Sequence, residues 1–329
     1  MLVVCILLIY LIYNILNIKK NEKNEYNINS SIGFKAIAVV LIFFAHILQK
    51  RVALTPSIFE IIVRNCAFIG VSIFFFNSGY GYAKKYNEKN MNLAFLHSHI
   101  FKILFPYLII LIFYNIVSLK SNHLVLFLPY SWYVFAIISA TILYYICNKI
   151  KVVDKNVSLF IFTFVTTLIL YFLEIDYYVL SQLFTFSFGC LLASKSIGMK
   201  TKKINYFIIF FLFSLFYILY LGFNKFNLEE FKILQIIIGN IASCLIAFLT
   251  YLLGKTIILT NKINIYLNRI SYWFYLCQSI SVFLFLDYSV LNDNFMIILS
   301  ILINCILSSI LYRTFGKIRY KSIIKKEVI

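Results

Sequence analysis

The sequence predicts an all-α protein that crosses a membrane many times. Of its 329 residues, 62% are hydrophobic and only 13% are charged, and the mean hydropathy is +0.91. A water-soluble chain of this length could not bury so much apolar surface in its own core. The apolar runs are roughly 20 residues long, which matches the thickness of a bilayer, and they lack the alternation of a transmembrane β-strand. We therefore expect a polytopic bundle of helices.

The apolar runs can be read as about 11 transmembrane helices. In chain order they cover residues 1–18, 33–50, 61–83, 99–119, 129–148, 157–173, 177–194, 204–223, 231–253, 265–286 and 294–312. The first run could pass for a signal peptide, but it has no basic start and no small-residue cleavage pattern follows it. We therefore expect it to remain as a membrane span.

The positions of the basic residues indicate how the chain is oriented. Cytoplasmic loops of membrane proteins are rich in Lys and Arg. If the N-terminus lies outside, the inner loops and the tail hold 21 of these residues and the outer loops hold 4. We expect a multi-pass protein of the cell membrane, with its N-terminus outside and its C-terminus in the cytoplasm. The net charge of +18 is then explained by the basic residues of the inner loops. It indicates anionic lipid rather than nucleic acid as a partner.

The chain is expected to divide into three parts. These are an N-terminal transmembrane helix with a cytoplasmic linker at 1–32, a membrane domain at 33–312 and a basic cytoplasmic tail at 313–329. The seven cysteines lie in or beside apolar runs and form no C-x-x-C pair. This pattern argues against a disulfide framework and a zinc site, so we expect no metal.

Two ionisable residues interrupt the second apolar run. Ten residues separate Lys35 from His46, so on an α-helix the two side chains share a face and lie ~16 Å apart along the axis. An ionisable side chain inside a membrane is costly and marks a candidate functional site. The alternative is that Lys35 anchors the helix at the interface and that His46 is a packed, hydrogen-bonded residue. The spacing alone leaves both interpretations open.

The third run carries several small or polar residues. Ser72, Ser78, Gly79 and Gly81 allow close helix approach, and Asn77 can form a hydrogen bond to another helix. Simple helix packing would also account for each of them.

Basic residues are expected to gather at the inner face. Lys84 and Lys85 follow the third span, and His99 and Lys102 begin the fourth. Together they could hold phosphate groups, although each could equally be an anchor for lipid headgroups. Arg269 begins the tenth span from the same side, where it could join this group or only anchor its helix.

Four segments occur in a characteristic order along the chain. They are Lys35-x10-His46, the sequence GVSIFFFNSGYG of the third span, Ser131-Trp132-Tyr133 at the start of the fifth span and Ile270–Leu276 in the tenth. In this order they resemble the membrane acyltransferase family 3, the O-acyltransferases of extracytoplasmic sugars and lipids. The resemblance covers about residues 30–312, and the basic-x10-His pairing is its most specific part.

The resemblance implies transfer of an acyl group, commonly acetyl, from a cytoplasmic acyl-CoA such as acetyl-CoA. The acceptor would be a hydroxyl of a cell-surface polysaccharide or a lipid-linked sugar. His46 would be the catalytic residue, either as a general base or as the carrier of the acyl group. Basic residues would bind the donor: Lys35, Lys84, Lys85, His99, Lys102 and Arg269. Lys35 stands where the family often has Arg.

The chain departs from the family pattern at three places. The four residues after Trp132, Tyr133–Ala136, include no carboxylate, whereas many relatives have paired Glu residues in this stretch. Ser72 replaces a frequent Asp, and Gln278 replaces a frequent His. His46 is therefore left without an evident carboxylate to orient it.

Glu60 and Arg64, near the outer end of the third span, are the nearest charged candidates within the membrane. Their spacing of four residues equally suits a local ion pair on one helix.

A transporter or flippase for a polar lipid or glycan intermediate is the alternative function. Such a protein would use Lys35, His46 and Arg269 as binding or proton-relay sites. Transporters often carry internal repeats and interrupted helix pairs, and the sequence suggests neither.

Overall fold

The structure is a computed structural model that describes residues 1–50, 57–86, 93–118, 124–149, 155–195, 206–226, 231–284 and 293–324. Its α-helices within these ranges are α1 (Leu2–Leu16), α2 (Ile28–Lys50), α3 (Ile58–Asn65), α4 (Ala67–Tyr86), α5 (Leu93–Ser118), α6 (Trp132–Lys149), α7 (Lys155–Phe172), α8 (Tyr177–Leu180), α9 (Phe184–Lys195), α10 (Tyr206–Phe226), α11 (Lys232–Thr256), α12 (Lys262–Gln278) and α13 (Asp293–Ile324). A turn of π-helix, Ser279–Leu284, continues α12, and two short strands, β1 (Lys19–Lys20) and β2 (Ile257–Ile258), pair antiparallel.

The prediction of an all-α polytopic membrane protein is confirmed. Seven helical segments of the described ranges are long and apolar enough to cross a membrane. They are Ile28–Lys50, Ile58–Tyr86, Leu96–Ser118, Tyr177–Ser194, Tyr206–Phe223, Lys232–Thr256 and Asn294–Gly316. Within the described residues, each of the eleven predicted runs overlaps a helix or a pair of consecutive helices. The helix α1 and the apolar part of α7 are shorter than the seven segments, and α6 and α12 are not among those seven.

Two predicted spans are interrupted. The run at 61–83 is divided between α3 and α4 at Cys66, and the run at 177–194 is divided between α8 and α9 at 181–183. The second break is bridged by Asn240 of α11, whose Nδ2 donates to the Leu180 carbonyl at 2.8 Å. The Asn240 Oδ1 accepts from the Phe184 amide at 3.2 Å. One side chain from another helix therefore bonds both ends of the break.

The predicted close approach at Gly79 is confirmed, and its partner is α9. A Cβ on Gly79 would lie 2.0 Å from the Phe186 carbonyl oxygen, so no larger residue fits there. Gly81 is different, because no heavy atom lies within 4 Å of the position its Cβ would take. Asn77 bonds outside its own helix as predicted, although its partner is the Tyr26 hydroxyl of the linker, at 2.7 Å.

The N-terminal helix and its linker are bonded to the rest of the bundle. Asn264 of α12 donates from Nδ2 to the Asn14 Oδ1 at 2.5 Å, and its own Oδ1 accepts from the Tyr10 hydroxyl at 2.8 Å. The strand β1 pairs Lys19 with Ile258, next to these contacts. At the other terminus α13 continues to Ile324, past the predicted start of the tail at 313, and residues 325–329 lie outside the described ranges.

Replacing Asn264 should loosen α1 from α12. We expect Asn264→Ala to lower the free energy of unfolding by about 1–3 kcal/mol, because the Leu259 carbonyl would lose this side-chain donor and Asn14 would lose one of its two amide donors. Thermal unfolding in detergent measures this as a lower midpoint. Asn17→Ala is the matched control, since the Asn17 side chain bonds only the Tyr13 carbonyl of its own helix. An equal shift in both variants would contradict this role of Asn264.

Candidate active site

His46 lies on α2, and a short chain of hydrogen bonds holds its ring. The residue is 6% exposed. Its Nδ1 lies 2.8 Å from the Oε1 of Gln49, three residues further along the helix. The Gln49 Nε2 donates to the backbone carbonyl of Arg64 at 3.0 Å. The ring is thus connected through one side chain to the end of α3.

This chain of bonds selects the tautomer of His46. A backbone carbonyl can only accept, so the Gln49 amide must turn its NH₂ toward Arg64 and its oxygen toward His46. The amide oxygen also only accepts, so Nδ1 of the imidazole must carry the proton. The Nε2 atom then keeps its lone pair, and among the described residues it has no hydrogen-bond partner. Gln49 therefore fills the orienting role that the sequence left without a carboxylate.

Aromatic rings pack against the imidazole. The ring centroid of Tyr130 lies 4.7 Å from that of His46, and the centroid of Phe283, in the π-helical turn, lies 5.7 Å away. Tyr130 and Phe283 stack on each other at 4.6 Å. Tyr130 has a φ of 56°, a left-handed conformation that is unfavourable for a bulky residue. Its carbonyl accepts a 2.6 Å bond from the Tyr275 hydroxyl, which helps to hold it there.

A cavity of about 460 Å³ opens beside His46. Its polar walls are His46, Gln49, Arg64, Asn65, Asp176 and Gln182, and its aromatic walls are Phe68, Tyr130, Trp132, Tyr178, Tyr217, Tyr220 and Tyr275. Asp176 caps α8, because its Oδ1 accepts from the Tyr178 amide at 3.0 Å. A cavity with both hydrogen-bonding groups and broad aromatic faces is suited to a polar molecule that also has an apolar surface.

Glu60 and Arg64, predicted as a possible ion pair, do not pair with each other. The Glu60 carboxylate accepts from the Ser57 amide at the start of α3 and lies 2.5 Å from the N-terminal ammonium of Met1. Arg64 instead lines the cavity of His46.

Lys35 and His46 share a face of α2, but the space between them along this face is filled. Ile42 lies on the same face between the two residues and is buried. A Cβ on Gly70 of α4 would lie 2.7 Å from Ile42 Cγ1 and 2.7 Å from the Ala38 carbonyl oxygen. The crossing of α2 and α4 therefore separates the cavity from the end of the helix that bears Lys35.

The other predicted donor-binding residues also lie away from the cavity. Lys84 and Lys85 are exposed at the end of α4, and the His99 ring meets the Tyr82 ring edge-on at 4.9 Å.

Lys102 and Arg269 are close to a contact between α5 and α12. The Tyr272 hydroxyl donates to the Ile103 carbonyl at 2.7 Å. Lys102 precedes Ile103, and Arg269 lies one turn before Tyr272. The helices α4, α5 and α12 thus bring the predicted cations to the end of the bundle where α2 begins, and none of these cations lines the cavity of His46.

Lys35 is half-buried near this end. Among the described residues, no hydrogen bond or ion pair is made by its ammonium group.

Sequence reasoning missed several residues of the cavity. Gln49 could have been found, because a residue three positions after His46 shares its helix face. Asp176 and Gln182 lie on another span, and no spacing in the sequence connects them to His46.

Comparison with known proteins identifies the family of this chain. The family model described as "Acyltransferase domain", of acyltransferase family 3, matches residues 28–313. This chain belongs to membrane acyltransferase family 3. No curated protein and no solved structure matches it. The match favours an acyltransferase over the transporter that the sequence left as an alternative, and it includes both His46 and Lys35.

The acyltransferase should depend on Gln49 for the orientation of His46. We expect Gln49→Leu to lower kcat by about 10²-fold with little change in KM, because Nδ1 of His46 would lose its acceptor. Gln49→Glu keeps an acceptor oxygen and should retain far more activity. The measurement is cleavage of a test donor, acetyl-CoA, in detergent or proteoliposomes. Equal losses in both variants, with unchanged thermal midpoints, would refute the orienting role.

Proposed function

We propose that this acyltransferase is an O-acetyltransferase that uses cytoplasmic acetyl-CoA and acylates a hydroxyl of a cell-surface polysaccharide or lipid-linked sugar. The family supports acyl transfer in general. The more specific proposal rests mainly on one observation: His46 lines a polar and aromatic cavity, and one of its ring nitrogens has no hydrogen-bond partner among the described residues.

In the proposed reaction His46 acts as a general base. Its Nε2 accepts the proton of the acceptor hydroxyl while the hydroxyl oxygen attacks the thioester carbonyl carbon. The C–O bond forms, the C–S bond breaks, and the proton passes from Nε2 to the departing thiolate of CoA. Gln49 supports the charge that develops on the ring, because its oxygen accepts from Nδ1 throughout. The alternative, in which Nε2 first takes the acyl group, uses the same free lone pair.

The donor is proposed to bind at the opposite end of the bundle, near Lys35. The cations of α4, α5 and α12 suit the phosphates of CoA, which form strong charge-assisted bonds with Lys and Arg. CoA carries its thioester at the end of a long arm, so the phosphates and the reacting carbon can lie far apart. Ile42 of α2 and Gly70 of α4 pack together between Lys35 and His46, so the arm of CoA cannot follow α2 directly. The arm must therefore either move α2 and α4 apart or reach His46 along another side of α2.

His46→Ala should abolish acetyl transfer, because the base is removed. The assay follows thiol release from acetyl-CoA and the appearance of acetyl groups on a membrane glycan fraction. His97→Ala is the matched control, since His97 is exposed and does not line the cavity. Full activity of a folded His46→Ala protein would exclude this mechanism, and a transporter would leave acetyl-CoA intact in every variant.

Lys35→Ala should weaken the use of the donor. We expect KM for acetyl-CoA to rise about tenfold while KM for the acceptor stays within twofold, as for the loss of one charge-assisted contact. Lys262→Ala removes an exposed cation outside the predicted donor set and serves as the control. If KM for acetyl-CoA is unchanged in Lys35→Ala, this lysine does not bind the donor.

A further inference from the structure

The break between α8 and α9 lies in the wall of the His46 cavity. Non-helical backbone at membrane depth is tolerated only where it is buried in protein or lines a polar space, because lipid offers no partner for its amides and carbonyls. Here Asn240 bonds the Leu180 carbonyl and the Phe184 amide. The Ser181 hydroxyl lies 3.2 Å from the Tyr220 hydroxyl. The surrounding helices thus maintain a break in a span that could otherwise be continuous.

Gln182 is the residue that this break presents to the cavity. It is 3% exposed, and its Oε1 is shielded from water and has no hydrogen-bond partner among the described residues. A buried polar atom without a partner destabilises the fold, so such atoms usually bind water or a ligand. The contrast with Gln49 is informative, because both glutamines line the same cavity and only Gln49 has both ends of its amide bonded to protein.

We propose that Gln182 is a specificity-determining residue for the acceptor. Its Oε1 accepts a hydrogen bond from a second hydroxyl of the acceptor, next to the hydroxyl that His46 deprotonates. This inference rests on the proposed function and adds a requirement to it: the preferred acceptor carries neighbouring hydroxyls.

The cavity supports a neutral polyol as the ligand of Gln182. An amide oxygen accepts from a hydroxyl without requiring a charge. Arg64 and Asp176 add opposite charges to the walls, so the cavity has no strong preference for an anion or a cation. The aromatic faces of Tyr130, Trp132 and Tyr275 can cover the apolar side of a saturated ring.

A matched pair of small acceptors tests the proposal. Cyclohexanol and trans-cyclohexane-1,2-diol differ by one neighbouring hydroxyl. With acetyl-CoA as donor, we expect the wild-type protein to acetylate the diol with a kcat/KM at least tenfold above that for cyclohexanol. Gln182→Met, which has a similar shape but no acceptor oxygen, should reduce this ratio to about 1, mainly through a higher KM for the diol. Gln182→Glu restores an acceptor and should restore the preference.

Control variants separate this role from folding. Gln235→Met removes another buried glutamine, on α11 and outside the cavity, and should leave the ratio unchanged. Equal losses for both acceptors in Gln182→Met, or an unchanged ratio, would overturn the proposal.

Failure of the proposed function would be recognised separately, because the wild-type protein would then acetylate neither probe. In that case, binding of the two probes to the protein would still test the role of Gln182. In a Trp273→Phe background, quenching of Trp132 fluorescence should report tighter binding of the diol than of cyclohexanol. Loss of that difference in Gln182→Met supports the inference, and its persistence refutes it.

Discussion

The interior of a bilayer supplies no hydrogen-bond partners, so a polar group at membrane depth must be bonded by the protein itself. This constraint accounts for most of the buried polar contacts in the acyltransferase. Asn264 and Asn14 join α12 to α1, Asn240 bonds the broken span, and Gln49 connects His46 to the Arg64 carbonyl. A group that is left without a partner is therefore informative. Within the part of the chain that the structure describes, the lone pair on His46 Nε2 and the Oε1 of Gln182 are two such groups, and both belong to residues of one cavity.

The crossing of α2 and α4 at Gly70 lies between the two ends of the bundle, the end with the His46 cavity and the end with the cations. Glycine brings the α4 backbone against Ala38 and Ile42, so the helices are packed together midway between Lys35 and His46. The cavity of His46 lies on one side of this contact and the cations lie on the other. Under the proposed function, with the donor at the cations and the acceptor in the cavity, this contact lies between the two substrates. The proposed reaction then requires a second arrangement of these helices or a path around them.

The sequence predicts the fold class well because composition and run length are properties of the chain alone. The pairing of Lys35 with His46 was predictable for the same reason, since two residues on one helix have a fixed relation. The breaks were not predictable. Asn240 of α11 bonds the carbonyl of Leu180, the last residue of α8, which lies 60 residues earlier in the chain. Nothing near Leu180 in the sequence specifies this contact. The left-handed backbone of Tyr130 likewise depends on packing against Phe283 and on the bond from Tyr275.

Three segments of irregular backbone contribute residues to the surroundings of His46. Tyr130 is left-handed, Phe283 lies in a π-helical turn, and Gln182 lies in a break between helices. In a regular helix the backbone amides and carbonyls bond to one another, so only side chains, at the fixed spacing of the helix, can contact a ligand. Local departures from the helix re-aim side chains and are common at functional sites. Under the proposed mechanism this arrangement is a division of labour, in which α2 holds His46 in place and the irregular segments shape the space for the acceptor. Relatives that acylate different acceptors would then be expected to differ in these three segments more than in α2.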